Sequence, residues 1–267
     1  MSALRSSLSA LLVCAIALTA AALPMSVFVV HCEPTKANPV MWIELVDLVA
    51  QADAYNVPLS IDFTPQWASM ILDDPSKIAL VEDWIVAGHE IGCHHHGYWG
   101  TKARGSTWDG YTNTLQGELD PSDRSRYLGT MDGYMALLNA LPGERRSGCM
   151  GGSEPGDYID YPCQLEYSTA GHSLDDVVTT PVALVRNDCP IVEIGHGLIV
   201  SQERDALRNL YTATANDAVF GVNGHVYNFA EFPAPFIEWF SYLYSLDAAG
   251  EFRGTVSEVI DRWQAND

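Results

Sequence analysis

The stretch Gly88-His89-Glu90-Ile91-Gly92-Cys93-His94-His95-His96 lies inside a strand–helix alternation and decides how its surroundings are read. A helical segment over 76–87 stops at Gly88, the residue type that ends helices in a left-handed turn. The apolar run 90–95 then predicts a strand that ends in histidine. Upstream, 25–31 predicts a strand ending at His31-Cys32-Glu33-Pro34, 40–55 a helix with an apolar face of Ile43, Val46, Leu48 and Val49, and 57–63 a second strand bounded by Pro65. Downstream come a Gly- and aromatic-rich loop over 97–118 and a helix over 122–140 closed by Pro142-Gly143. Strand-like pieces recur near 146–150, 166–169, 191–194 and 219–222, with helices near 201–212, 235–246 and 255–263. About seven strand units in this alternation predict a parallel α/β architecture, short of the eight strands of a regular barrel.

Parallel α/β folds gather their chemistry at the carboxyl ends of the strands, and strand side chains alternate faces with a period of two. Here the ends of three successive strands carry ionisable or polar groups two residues apart: His31 and Glu33; Ser60, Asp62 and Thr64; His94 and His96. A buried face avoids such groups unless they pair or bind an ion. Two imidazoles and a carboxylate suit Zn²⁺ or a similar divalent ion with an open position for water. A second carboxylate nearby would serve as general base. A solvated polar turn is the plainer reading of His94-His95-His96, and the three consecutive imidazoles beside Gly97 and downstream of His89 favour a site instead.

Two later strand ends add His196 and His225, either of which could be a ligand, a general acid or a transition-state donor. The loop after the third strand holds Tyr98, Trp99, Trp108 and Tyr111, candidates for stacking on a sugar ring; ordinary loop packing explains them equally well. Met150-Gly151-Gly152-Ser153 would allow close backbone approach to a ligand, or form a simple turn. No GxGxxG, P-loop, GxSxG or HExxH pattern occurs, which weighs against dinucleotide binding, an α/β serine hydrolase and a zincin helix.

With 14 Lys+Arg against 34 Asp+Glu, the formal net charge of −20 excludes nucleic-acid binding through phosphates. At 48% hydrophobic and 18% charged the chain is not disordered, and its 267 residues suit one large domain over 23–267. Residues 1–22, with Arg5, an apolar run from Leu8 to Ala21 and the small Ala20-Ala21-Ala22, read as a signal peptide, with an uncleaved anchor as the alternative; either predicts a secreted, periplasmic or cell-surface protein. Beyond Cys14, the five cysteines 32, 93, 149, 163 and 189 contain no CxxC pair and are expected to be mostly buried thiols.

Gly88–His94 resembles the G-H-E-I-G-x-H segment of the NodB-type polysaccharide deacetylases, the carbohydrate esterase family 4 group. The order of elements over 25–97 agrees with that family, and Phe220–His225 followed by Gly254–Glu258 resembles its closing strand, late histidine and final helix. The resemblance implies a distorted seven-stranded (β/α) barrel, a divalent metal and hydrolysis of an N-acetyl or related amide or ester on a sugar. The family's Asp-Asp pair falls on His31-Cys32, with Glu33 one residue further. Its second metal histidine falls on Tyr98, so His96 or His95 would stand in, and its Arg-x-Pro motif has only a faint echo at Arg146.

The expectation is therefore a metal-dependent hydrolase that removes acyl groups from a carbohydrate, with no stable protein partner. His94 and His96 would bind the metal, Zn or alternatively Co, Ni or Mn, with His31 or Glu33 completing the set. Asp62 or Glu33 would be the base, His225 the acid or oxyanion donor, and Tyr98, Trp99, Trp108, Tyr111 and His196 would line the substrate. The rivals are a glycoside hydrolase on the same barrel, which needs two carboxyls about 5–9.5 Å apart, with Glu33 and Asp62 the obvious pair, and a non-catalytic carbohydrate-binding protein.

Overall fold

The computed structural model describes residues 23–104, 107–150 and 154–266. The expected leader at 1–22 and Gly151–Ser153 of the Gly-rich turn lie outside the described residues. Ten strands run through the described chain: β1 (Met25–Cys32), β2 (Ser60–Phe63), β3 (Glu90–His94), β4 (Ser147–Cys149), β5 (Tyr167–Ala170), β6 (Val178–Thr179), β7 (Val182–Arg186), β8 (Cys189–Gly195), β9 (Gly197–Leu198) and β10 (Val219–His225). Nine helices accompany them: α1 (Pro39–Ala54), α2 (Pro65–Leu72), α3 (Pro75–Ala87), α4 (Tyr98–Arg104), α5 (Met131–Asn139), α6 (Arg204–Ala213), α7 (Val226–Glu231), α8 (Pro233–Leu246) and α9 (Val256–Asn266).

Seven of the strands form a curled parallel sheet in the order β10-β1-β2-β3-β4-β5-β8, flanked by β6 and β7, which run antiparallel to β10 and β8. This is the distorted (β/α) barrel that the alternation predicts. The seam between β8 and β10 closes at the carboxyl end. After Gly195 the chain steps at His196 into β9, which pairs in parallel with β10 through Val222↔Gly197 and Asn223↔Leu198. Gly221 permits this approach, because a Cβ there would lie 2.0 Å from the Gly195 carbonyl oxygen.

Alternation along the strands divides the core into two. Residues facing outward, among them Phe28, Val30, Ile61, Phe63, Ile91, Phe220 and Val222, pack under the surrounding helices. Residues facing inward at the amino-terminal end, Val27, Val29, Tyr167, Ile194 and Val219, are plugged by Val256, Val259 and Ile260 of α9. Higher in the barrel the inward positions turn polar, and the apolar plug below leaves the carboxyl end as the place where the polar layer meets a cavity.

Local signals explain most element starts. α1, α2, α3 and α8 each begin with proline in the first turn, where the missing N–H costs nothing. Asn38 caps α1 by accepting from the Val40 and Met41 amides, and Asp74 caps α3 through the Ser76 amide.

Three elements differ from expectation. α2 occupies a stretch to which no element was assigned, α4 lies in the stretch expected as loop, and the helix expected over 122–140 is confined to α5, since a 3₁₀ turn at Arg124–Arg126 and Gly129 at φ 159° precede it. The β7–β8 hairpin was unforeseen: Asn187 and Asp188 sit at φ 47° and 60°, the two-residue turn that such hairpins use. Cys163 and Cys189 form a disulfide that staples this hairpin, whereas Cys32, Cys93 and Cys149 are buried outside it, as expected of thiols.

Candidate functional site

The inward period of β1, Val27, Val29, His31, carries the chain to the top of the barrel, and Glu33 follows just past the strand end. Trp67 of α2, fully buried, donates its indole N–H to the Glu33 carbonyl at 2.9 Å and fixes that backbone. The Glu33 carboxylate meets three imidazoles. Oε1 is 3.2 Å from His225 Nε2 and 3.4 Å from His94 Nε2, and Oε2 is 3.2 Å from His96 Nε2. His94 ends β3 and His96 lies two residues on, with their Nε2 atoms 3.0 Å apart. Burial alone would raise the Glu33 carboxyl, but His225, His94 and His96 hold it well below the usual carboxylate range. Burial pushes His94 down to about 4, so its ring is neutral at pH 7.

Hydrogen bonds on the far side of two rings set their tautomers. His96 Nδ1 donates to the Thr107 carbonyl at 2.7 Å, and His225 Nδ1 donates to Asn228 Oδ1 at 2.9 Å. Burial lowers the His96 pKa but Glu33 raises it above its ordinary value, and whenever the two rings are neutral both Nε2 atoms present bare lone pairs towards that carboxylate. Lone pairs and carboxylate repel unless a cation or protons lie among them. This donor set fits a divalent ion: imidazole nitrogens oriented from behind, plus one carboxylate. Glu33, His94 and His96 offer ligand atoms within 4.8 Å of one another.

His31 is buried beside them, but its ring stacks on His94 with centroids 4.4 Å apart and 14° between planes. The stacking sets their lone pairs in nearly parallel planes, which suits a shared ion poorly, although ligand atoms of His31, His94 and Cys149 lie within 4.8 Å of one another as a second group that could hold one. His31 Nδ1 instead faces the Asn223 amide at 3.5 Å, and its Nε2 has no partner. Cys149, at the end of β4, comes within 4.8 Å of ligand atoms of His31 and His94. Sequence reading passed over it, although it ends a strand as His31 and His94 do.

Asp62 points inward but lies below the cavity and does not line it. Its Oδ2 accepts the Cys149 amide at 3.2 Å, and Gly92 makes room for the carboxyl, a Cβ there lying 2.1 Å from Oδ1. Burial, with the nearby Glu90 charge, pushes its pKa well above the ordinary carboxylate value. Its absence from the cavity lining speaks against the base role expected of it and against the expected Glu33–Asp62 carboxyl pair.

The cavity at this end is about 710 Å³, a size suited to a small ligand or a sugar unit. Glu33, the histidine cluster and Asp157 line one side, and Thr169, Glu193 and Arg186 the other. The expected stacking aromatics are elsewhere. Tyr98 and Trp108 pack with Leu119 in their own small core, and Tyr111 lies in the main outer core. Trp99, the one of the four with an exposed face, bonds Thr114 and does not line the cavity. Their apolar area is spent on holding the loop, so the lining is supplied by Tyr158 and Tyr161 instead. His196 is fully buried at the β8–β9 step, 5.1 Å from the His31 ring, and also does not line the cavity.

His95, between the two imidazoles that face the site, points the other way. Its Nδ1 is 2.7 Å from Asp109 Oδ2 and its Nε2 3.6 Å from Asp160 Oδ2, all three groups being buried. Burial would lower its pKa, but Asp109 and then Asp160 hold it up at about 10, so it is an imidazolium at neutral pH. Sequence reading saw the triplet and missed this division of labour.

No protein-family model matches the chain, and no curated protein sequence matches it either. Solved structures do. A protein provisionally assigned as a polysaccharide deacetylase from Mycobacterium smegmatis superposes with a TM-score of 0.54 at 13% identity, covering 92% of this chain and 94% of its own. A probable polysaccharide deacetylase from Pseudomonas aeruginosa gives 0.56 at 14% identity, covering 91% and 92%. The fold is the NodB deacetylase type. A 4-alpha-glucanotransferase from Thermococcus litoralis shares it as well, at a TM-score of 0.51 and 10% identity, with 89% of this chain matching 38% of that one. At these identities the likeness is one of fold.

Proposed function

We propose that the protein is an exported, metal-dependent hydrolase that removes an N- or O-acyl group from a carbohydrate. The observation that carries this reading is the meeting of His94, His96 and His225 Nε2 on the Glu33 carboxylate at the carboxyl end of a NodB-type barrel. Glu33, His94 and His96 would hold the ion, zinc by its preference for imidazole and carboxylate. A divalent ion so held lowers the pKa of a bound water and polarises the acyl carbonyl.

The remaining chemistry belongs to the chain. Water adds to the acyl carbon, the C–N or C–O bond breaks and the acyl group leaves as a carboxylate; the water's second proton goes to the free amine or to solvent, and its first must be carried to the departing nitrogen or oxygen. His225 carries that proton. Its Nδ1–H is fixed by Asn228, which leaves the Nε2 lone pair to accept a proton from the water and to give it back. Returned to the leaving group, the same proton completes the reaction. Thr169, Glu193, Tyr158 and Arg186 in a largely apolar cavity wall offer hydrogen-bonding groups to a hydroxyl-bearing ring.

The glycosidase reading, which the glucanotransferase fold keeps in view, needs two opposed carboxyls. Glu33 is engaged by three imidazoles, Asp157 by the Trp99 and Gly100 amides and Asp176 by the His172 and Ser173 amides, which leaves Glu193, pushed up by burial, as the one cavity carboxyl that reading would have to use as its acid. The Cys163–Cys189 disulfide supports export, since such bonds persist in oxidising compartments.

The test is acetate release from acetylated chitooligosaccharides and acetylated xylan by zinc-reconstituted protein, with and without chelator. Release that the chelator stops supports the reading. Sugar binding without turnover, indifferent to chelator, points to a non-catalytic binding protein.

A further inference from the structure

A histidine two residues after a strand-end histidine would normally leave the site as the chain turns away, yet His96 Nε2 comes back to 3.0 Å from His94 Nε2. Its ring is held there from one side: Nδ1 donates to the Thr107 carbonyl at 2.7 Å. Thr107 in turn lies two residues from Asp109, whose Oδ2 accepts both the His96 backbone amide, at 3.1 Å, and His95 Nδ1, at 2.7 Å.

The same imidazole ties a second segment. His95 Nε2 faces Asp160 Oδ2 at 3.6 Å, and Asp160 Oδ1 accepts the Thr112 hydroxyl at 3.1 Å and the Asn113 amide. Asp109 Oδ1 accepts the Tyr111 amide at 3.0 Å, and its carbonyl accepts from the Gln66 side chain at 2.6 Å. Tyr134 meets the His95 ring edge at 5.4 Å and donates its hydroxyl to the His94 carbonyl at 2.8 Å. Asp109 and Asp160 are each 1% exposed and His95 is 0% exposed, so these carboxylates have His95 as their buried counter-group rather than water.

We infer that His95 and Asp109 are positioning residues: the His95–Asp109 pair pins the 107–113 segment so that Thr107 fixes the Nδ1–H tautomer of His96 and aims its Nε2 at Glu33. The inference rests on reading His96 as a metal holder. It explains how an i, i+2 histidine pair can do the work of a wider-spaced one. Without the pair Asp109 loses its buried partner, the Thr107 carbonyl is no longer held against Nδ1, and the His96 ring is free to turn or change tautomer. Partners of this kind, behind a ligating histidine, are worth about 10–100-fold in metal affinity or activity.

The test uses the full chain. Nitrogen-15 NMR of the histidine rings in metal-free wild type should show His96 protonated at Nδ1, and zinc titration of folded Asp109→Asn and His95→Gln should show affinity lower by about 10–100-fold, with the His96 tautomer mixed. A neutral His96 ring in metal-free wild type that carries its proton on Nε2 and not on Nδ1 overturns the inference, and so does zinc affinity unchanged in a folded variant. If a variant does not fold, the wild-type tautomer decides. If wild type binds no zinc, the metal reading fails, and the His96 tautomer with its response to Asp109→Asn still decides whether the clamp operates.

Discussion

His94 Nε2 and His96 Nε2 lie 3.0 Å apart at the mouth of the barrel, each also within 3.4 Å of the Glu33 carboxylate. A buried and a half-buried imidazole are not brought to that separation by packing, because neutral rings with lone pairs facing each other repel. A shared proton or a shared cation is required, and the Nδ1 bond of His96 to Thr107 leaves its Nε2 open for one. The expectations below depend on that relationship or on the barrel that creates it.

His225→Gln should keep zinc bound and lose turnover. General acid–base catalysis contributes about 10²–10⁴-fold, and a fall of that size in kcat with metal content retained is the expected result. Steady-state kinetics beside zinc analysis checks it; loss of zinc in step with activity would make His225 a holder of the ion instead.

Asp62→Asn should leave turnover in place. The carboxyl does not line the cavity, is pushed up in pKa by burial and uses one oxygen to accept the Cys149 amide, a role an asparagine carbonyl can fill. Loss of a true general base costs about 10²–10⁴-fold. A drop of that order in kcat, in a variant of wild-type Tm, would return Asp62 to the chemistry.

How much of this was legible beforehand follows from where the signals lie. Strand ends repeat with a period of two, so His31, Glu33, His94 and His96 could be placed on one rim from sequence, and the apolar runs located the seven parallel strands. The Pro65–Leu72 helix was hidden because its run of apolar residues carries no charged face to mark a 3.6-residue period. The aromatic loop misled because Tyr and Trp serve a small core and a sugar surface equally well, and only burial separates the two uses. His95 was invisible as a separate function, since its partners Asp109 and Asp160 are 14 and 65 residues away in sequence.

Acid should destabilise the fold partly through His196. Burial with no partner on either ring nitrogen pushes its pKa down to about 3, against about 6.5 in an unfolded chain. The unfolded state therefore binds the proton first, so stability is intact above about pH 6.5 and falls as pH drops from there towards 3. Thermal unfolding from pH 7 to 4 should show a shallower decline in His196→Leu than in wild type. Equal slopes would remove His196 from the account of acid sensitivity.

Cys163→Ser should loosen the β7–β8 hairpin that forms one wall of the cavity. The bridge closes a 26-residue separation, and bonds of this kind contribute about 2–4 kcal/mol. Denaturant unfolding of the oxidised wild type and the variant gives the difference directly. An unchanged midpoint would mean that the hairpin is held by its strand pairing with β8 alone.

The central claim is tested most directly by zinc content per chain after reconstitution at neutral pH, in wild type and in His96→Ala of matched fold. The account predicts one tightly held ion in wild type and its loss in the variant. Wild type that retains no zinc, or a variant that keeps a full equivalent, would contradict it.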